Sequence, residues 1–298
     1  MSKNSRGSKK PFVRFLIFLN ISLSLSFTIF LTSCSTTEPP PPSIQPIDEI
    51  PMDKYPDWSP TGEWIAYEHE AVDFNNDTSG IYIIRPDGTN KHLIIPGGYH
   101  PSWAPDGRKI AFSATTFDGQ IWIFNLTSSA YRKLTSEGFN IEPAWSNKGD
   151  RIAFLSGIST QKLIISDTNG VVLNELEPLG YPSWSSNDDS ICGNVKGILT
   201  ILELSNFLTE KLFAVNAPDW HPFSDEIVYD LYDYILKKGE LYIIKIDSGN
   251  NRKLNTINGF TPCWSDDGSQ IVYSSNIGKK VTLFIIKNDG TNNRQLTN

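Results

Sequence analysis

The chain has 298 residues, of which 39% are hydrophobic and 20% charged, with a formal net charge of −7. That composition excludes a disordered chain and a membrane-embedded bundle, and the length admits one large all-β domain or two ordinary ones. An acidic balance with no basic run beyond the N-terminus also argues against a phosphate-binding or nucleic-acid-binding role.

In chain order, Lys3, Arg6, Lys9, Lys10 and Arg14 precede an uncharged run from Phe15 to Leu31. This is the order of a secretory signal. Leu31-Thr32-Ser33-Cys34 then runs apolar, small, small, Cys, and resembles the lipobox of bacterial lipoproteins. The resemblance implies cleavage before Cys34, a lipid on that residue and a membrane-anchored product. Ser35 beside it resembles an outer-membrane sorting signal. The alternative is an uncleaved transmembrane anchor, for which 17 residues stand at the short limit. Both readings place the remainder outside the cytoplasm, in the cell envelope or periplasm. Without residues 1–33 the chain carries 21 Lys and Arg against 33 Asp and Glu, net −12. Such a charge fits a basic or neutral partner. Residues 34–52 hold the lipidated Cys and four consecutive prolines, read as a stiff extended tether.

From residue 53 onward the chain repeats itself. Pro-x-Trp recurs at Pro56/Trp58, Pro101/Trp103, Pro143/Trp145, Pro182/Trp184, Pro218/Trp220 and Pro262/Trp264. Seven residues after each Trp stands an Ile (65, 110, 152, 191, 227, 271), followed by Ala66, Ala111, Ala153, Cys192, Val228 or Val272. The Trp-to-Trp intervals are 45, 42, 39, 36 and 44 residues. Each period also holds further β-rich runs separated by Gly, Asp and Asn turns, which predicts four strands per period. The fold class is therefore all-β: a six-bladed β-propeller of four-stranded antiparallel blades over 53–298, preceded by the lipoprotein signal and the Pro-rich tether.

Pro101–Phe112 (PSWAPDGRKIAF), with 266–275 and 285–297, is similar to the repeats of TolB-type propellers, which are WD-like. The resemblance covers residues 53–298 and implies the fold. The α/β domain that precedes the propeller in that family has no counterpart here, so the family's partner binding does not carry over. Related propellers joined to peptidases need a hydrolase domain for which no residues remain.

The Trp residues are expected to pack between blades, burying roughly 150–250 Å² each. Each Pro is expected to begin a strand, where no ladder donor is lost. The turns SPTG, APDG, SNKG and SDDG use Gly at positive φ, and blades 4 and 5, with Asp188 and Ser224 instead, are expected to differ. Cys192 and Cys263 belong to blades that do not adjoin and read as buried thiols.

Function is expected on the irregular face, formed by the links between blades and the loops after second strands, longest at 68–80 and 230–240. Tyr55, Tyr99, His100, Phe139, Glu142, Tyr181 and Phe260 lie on those links. Either they rim the channel mouth as stacking surfaces for a sugar or peptide, or they wedge the blade tops together. Asp73, Asn75 and Asp77 alternate as oxygen ligands that suit calcium, but the Gly and Glu of an EF-hand loop are missing, which favours a solvated acidic loop without a cofactor. His69 and His100 are candidates for proximity. No Gly-x-Ser-x-Gly, glycine-rich phosphate loop or Cys–His spacing is present. The expected function is a monomeric, non-catalytic envelope scaffold binding a protein, peptide or glycan. The alternative is an envelope lyase or hydrolase acting on carbohydrate through loop carboxylates or a bound cation.

Overall fold

In this computed structural model, residues 51–71, 78–114, 119–207, 209–233, 236, 238–254, 256 and 258–298 are described, with the backbone alone for 209–214. Among them no helix occurs. Twenty-four strands pair consecutively into six antiparallel four-stranded meanders, the blades of a β-propeller. The innermost strands are Met52–Trp58, Gly98–Trp103, Asn140–Trp145, Gly180–Trp184, Asp219–Trp220 and Gly259–Trp264.

The repeat has a direct packing meaning. All six Ile of the repeat are fully buried at 0% exposure. Each Trp sits in a cluster shared by two blades. Trp103 packs with Ala66, Ile81 and Ile83 of the blade before it, and Trp264 with Val228, Leu241 and Ile243. The small residue after each Ile makes room for the next blade's indole. The core is thus six wedges between sheets, as expected when twisted sheets pack face to face.

The Pro does not begin its strand. Pro56, Pro101, Pro143, Pro182 and Pro262 lie inside their strands, each within a register shift such as that between Lys54 and Asp57. At a bulge the ladder is already interrupted, so the missing N–H costs nothing there.

Blade 4 also departs from expectation. Asp188 adopts φ 61° and donates its N–H to the Ser185 carbonyl at 2.8 Å, the bond that Gly62, Gly107, Gly149 and Gly268 make in their turns. Its carboxylate accepts the Asn147 and Lys148 amides of the preceding blade, both at 2.8 Å, which holds the residue in that conformation. In blade 5 the turn does differ: the Phe223 amide bonds His221 Nδ1 at 3.0 Å. The expected long loop of blade 5 is mostly strand, since Glu226–Asp233 and Lys238–Lys245 form one extended hairpin.

Blade 6 supplies its own outer strand, Arg294–Gln295. It meets blade 1 through one parallel bridge, Met52 to Val281. Arg294 adds a bond from Nη2 to the Pro86 carbonyl at 2.5 Å. Arg132 and Arg252, also on outer strands, bond the Thr168 and Asn288 carbonyls of the next blade. Because these contacts are exposed, Arg294→Ala is expected to lower unfolding free energy by only about 1 kcal/mol, read by urea denaturation. A loss of several kcal/mol would mean that closure depends on this contact. Residues 44–50, which by sequence could either add a strand to the last blade or only lead in, lie outside the described residues.

Candidate functional site

The innermost strands enclose a channel of about 280 Å³. Two rings of side chains line it, from the residues just before and just after each repeated Pro.

The inner ring is Asp57, Ser102, Ala144, Ser183, Asp219 and Cys263. It joins the blades. Trp103 donates its amide to Asp57 Oδ2 at 2.5 Å, Trp145 to Ser102 Oγ at 3.0 Å, Trp220 to Ser183 Oγ at 2.9 Å and Trp264 to Asp219 Oδ2 at 2.8 Å. Each acceptor thus bonds the Trp amide of the following blade. Ala144 lacks an acceptor, and its carbonyl takes the Trp184 indole N–H at 3.0 Å instead. Burial pushes the Asp57 carboxyl up to about 7, against the pull of the Trp103 amide and with help from the charge of Asp219. Burial likewise raises Asp219 to about 6. Cys263 and Cys192 are buried free thiols, as expected.

The outer ring is Tyr55, His100, Glu142, Tyr181, Ala217 and Thr261. Five of these six take positive φ: Tyr55 49°, His100 48°, Glu142 56°, Tyr181 50° and Thr261 46°. A residue before Pro is driven from the right-handed helical region, and the bulge requires a left-handed residue. For bulky side chains that conformation costs about 1–2 kcal/mol each, so the surroundings must impose it. They do so through the amides: His100 bonds Glu68 Oε2 at 3.4 Å, Glu142 bonds Ser113 Oγ at 3.1 Å and Tyr181 bonds Glu142 Oε2 at 2.8 Å.

Over the channel, Tyr55 of blade 1 meets Tyr181 of blade 4. Their hydroxyls are 3.4 Å apart and their rings stack at 5.8 Å and 16°. His100 packs on Tyr55 at 4.4 Å between centroids, and burial lowers its pKa to about 4, so the ring is neutral at pH 7. This aromatic group obstructs the channel at the link face.

Beyond it lies a pocket of about 700 Å³ between blades 5, 6 and 1, floored by Tyr55 and Tyr181. Its walls include Tyr232, Phe260, Asn216, Asn258 and Asn276. Tyr232 and Phe260 meet edge to face at 5.2 Å. Asn276 Nδ2 donates to the Tyr232 hydroxyl at 2.7 Å. Asp230, raised to about 6 by burial, accepts the Ala217 and Thr261 amides at 3.0 and 3.4 Å.

Of the seven expected rim residues, Tyr55, His100, Glu142 and Tyr181 converge on the channel and Phe260 on the adjoining pocket. Tyr99 and Phe139 line neither, and Phe139 instead lies against Gly119. His69 and His100 have separate partners, since His69 Nδ1 is 2.6 Å from Asp53 Oδ1 while His100 faces Tyr55. Asp73, Asn75, Asp77 and Cys34 lie outside the described residues. Among the described residues no group of three or more His, Cys, Asp or Glu is placed to hold a metal ion. Sequence reasoning missed the inner ring, whose only signal was a polar residue between Pro and Trp in most copies. It named the 230–240 segment that holds Tyr232 without singling out that residue, and it missed the three Asn, whose residue type the repeat does not share.

Fold and site together define a β-propeller whose channel is obstructed at one face. No family model matches the sequence. No curated protein matches it either. Solved structures do. TolB from Acinetobacter baumannii aligns with TM-score 0.62 and 17% identity over 81% of this chain and 62% of that one. The putative TolB from Agrobacterium tumefaciens aligns with TM-score 0.57 and 15% identity over 66% and 79%. The β-propeller domain of the trilobed protease from Pyrococcus furiosus, described as having an open velcro topology, aligns with TM-score 0.54 and 16% identity over 84% of each. This chain has the fold of the TolB-like propellers, and the match spans less than two thirds of the Acinetobacter protein.

Proposed function

We propose that the protein is a non-catalytic binding propeller of the bacterial envelope, held to the outer membrane by a lipid on Cys34 and acting as a monomer. Its partner is an envelope component, protein or glycan, that docks at the link face. The carrying observation is the Tyr55–Tyr181 contact between opposite blades, which turns an open tube into the floor of a pocket with aromatic walls. Concave, largely apolar pockets with a few convergent polar groups are the usual form of binding sites. A binding role also fits the acidic side chains, since Asp57, Asp219 and Asp230 are each engaged by backbone amides.

The test is a photo-cross-linking residue placed at exposed Lys279 on the pocket lip, in intact envelopes, with Val172 on the outer edge of blade 3 as control. A defined adduct at 279, absent at 172 and lost with Tyr181→Ala, is expected. Equal adducts at both positions would overturn the reading. The anchor is checked separately: Cys34→Ser is expected to leave the protein in the soluble envelope fraction, and mass analysis of the mature N-terminus of the wild type is expected to find a lipid.

A further inference from the structure

We propose that the link-face pocket recognises an uncharged saccharide unit, stacked on the Tyr232–Phe260 pair and hydrogen-bonded by asparagine carboxamides. This rests on the binding role proposed above and names the ligand class for the same site.

The first argument is charge. Two ionisable groups in the pocket wall, Asp230 and Lys54, are engaged by the protein itself, and Lys279 stands on the exposed lip. Asp230 is 0% exposed and accepts the amides of Ala217 and Thr261 together with Asn216 Nδ2 at 3.3 Å. Lys54 binds Glu70 at 2.8 Å and lies 3.5 Å from Glu68. An ionic ligand group entering here would have to compete with these pairs and lose its own hydration, which is unfavourable unless replaced in full. Neutral donors and acceptors meet no such penalty.

The second argument is the polar set that remains. Asn258 and Asn276 each commit one side-chain N–H, to the Asn276 carbonyl at 3.4 Å and to the Tyr232 hydroxyl at 2.7 Å. No hydrogen bond to either carboxamide oxygen is present among the described residues. The Tyr232 hydroxyl, as the acceptor of the Asn276 N–H, holds that carboxamide in place. Planar carboxamides pair an acceptor with a donor at the spacing of adjacent hydroxyls, the pattern that a sugar ring presents.

The third argument is shape. Tyr232 and Phe260 cross at 65°, an arrangement in which the edge of one ring meets the face of the other. In such a pair a single ring face can stack on the C–H face of a pyranose while the other ring walls its side. The Tyr55–Tyr181 floor ends the cavity, so the ligand enters end-on, as a terminal or side-branch unit, rather than threading through the channel. A cavity of about 700 Å³ accommodates a small oligosaccharide end.

The experiment is isothermal titration of the full propeller with maltotriose, cellotriose and di-N-acetylchitobiose, alongside uncharged capped tetrapeptides as the rival class. Binding of at least one saccharide is expected, weakened about tenfold by Tyr232→Phe and by Asn276→Ala. Val172→Ser is expected to leave it unchanged. Tyr232→Phe removes one hydroxyl and keeps the ring contact, so its loss of binding is not a folding defect. Absence of saccharide binding, binding indifferent to both pocket variants, or binding of the peptides alone at this pocket would each overturn the proposal. Cross-linking at position 279 that persists without saccharide binding would sink the ligand class and leave the binding role standing.

Discussion

Ile110→Ala is expected to lower the unfolding free energy by about 2–5 kcal/mol and the melting temperature by roughly 5 °C or more. Ile110 is fully buried, in the wedge formed by Trp103 with Ala66, Ile81 and Ile83. The wedge is bounded by two sheets that are each tied to further blades, so the walls cannot collapse into the space left by the side chain. The cavity term therefore adds to the lost transfer energy. The control is Ile198→Ala, at a position 38% exposed, where a change within about 0.5 kcal/mol is expected. Calorimetry or urea denaturation of both variants checks the pair. Equal effects at the two positions would contradict the wedge description.

The second large effect is a dependence on pH located in the inner ring. Asp57 titrates near 7 in the folded protein against an ordinary value of 3.8. Below about pH 4 both folded and unfolded chains hold the proton, and no penalty exists. Between pH 4 and 7 the unfolded chain releases it while the folded chain keeps it, so stability falls as pH rises. Above pH 7 the loss is complete. Asp57→Asn keeps an oxygen for the Trp103 amide and removes the charge. The variant is therefore expected to match wild type below pH 4 and to gain on it as pH rises to 8, by an amount of the order of a few kcal/mol. Asp219→Asn is expected to behave alike, over a window ending near pH 6. Because the charge of Asp219 contributes to the shift of Asp57, the double variant is expected to gain less than the two single gains together. Urea midpoints measured from pH 4 to 8 decide the matter. A variant that loses stability at pH 8 would show that the carboxylate charge is needed for the bond to the Trp amide.

The links between blades, where the proposed binding face lies, are the part of the propeller that the repeat leaves free to vary. The strained left-handed residues before each Pro are made possible by the same bulge that accommodates the Pro. The device that builds the ring thus also turns Tyr55, His100, Glu142 and Tyr181 toward the channel.

The sequence by itself determined the period, the strand count per period and the buried set, because those depend on local rules. Strand periodicity, turn residues and the demand to bury one Trp and one Ile per sheet repeat in every copy. It also marked Tyr55, His100, Glu142, Tyr181 and Phe260 as lying on the links. The tertiary structure alone decided which of the link residues meet. Tyr55 and Tyr181 are 126 residues apart, and only ring closure places blade 1 opposite blade 4. Tyr99, one residue before His100, lies outside the channel lining, as ordinary strand alternation places successive side chains on opposite faces. The turn of blade 4 followed the same logic: Asp188 took the conformation of glycine because two amides of the neighbouring blade bind its carboxylate, a compensation that no local pattern contains.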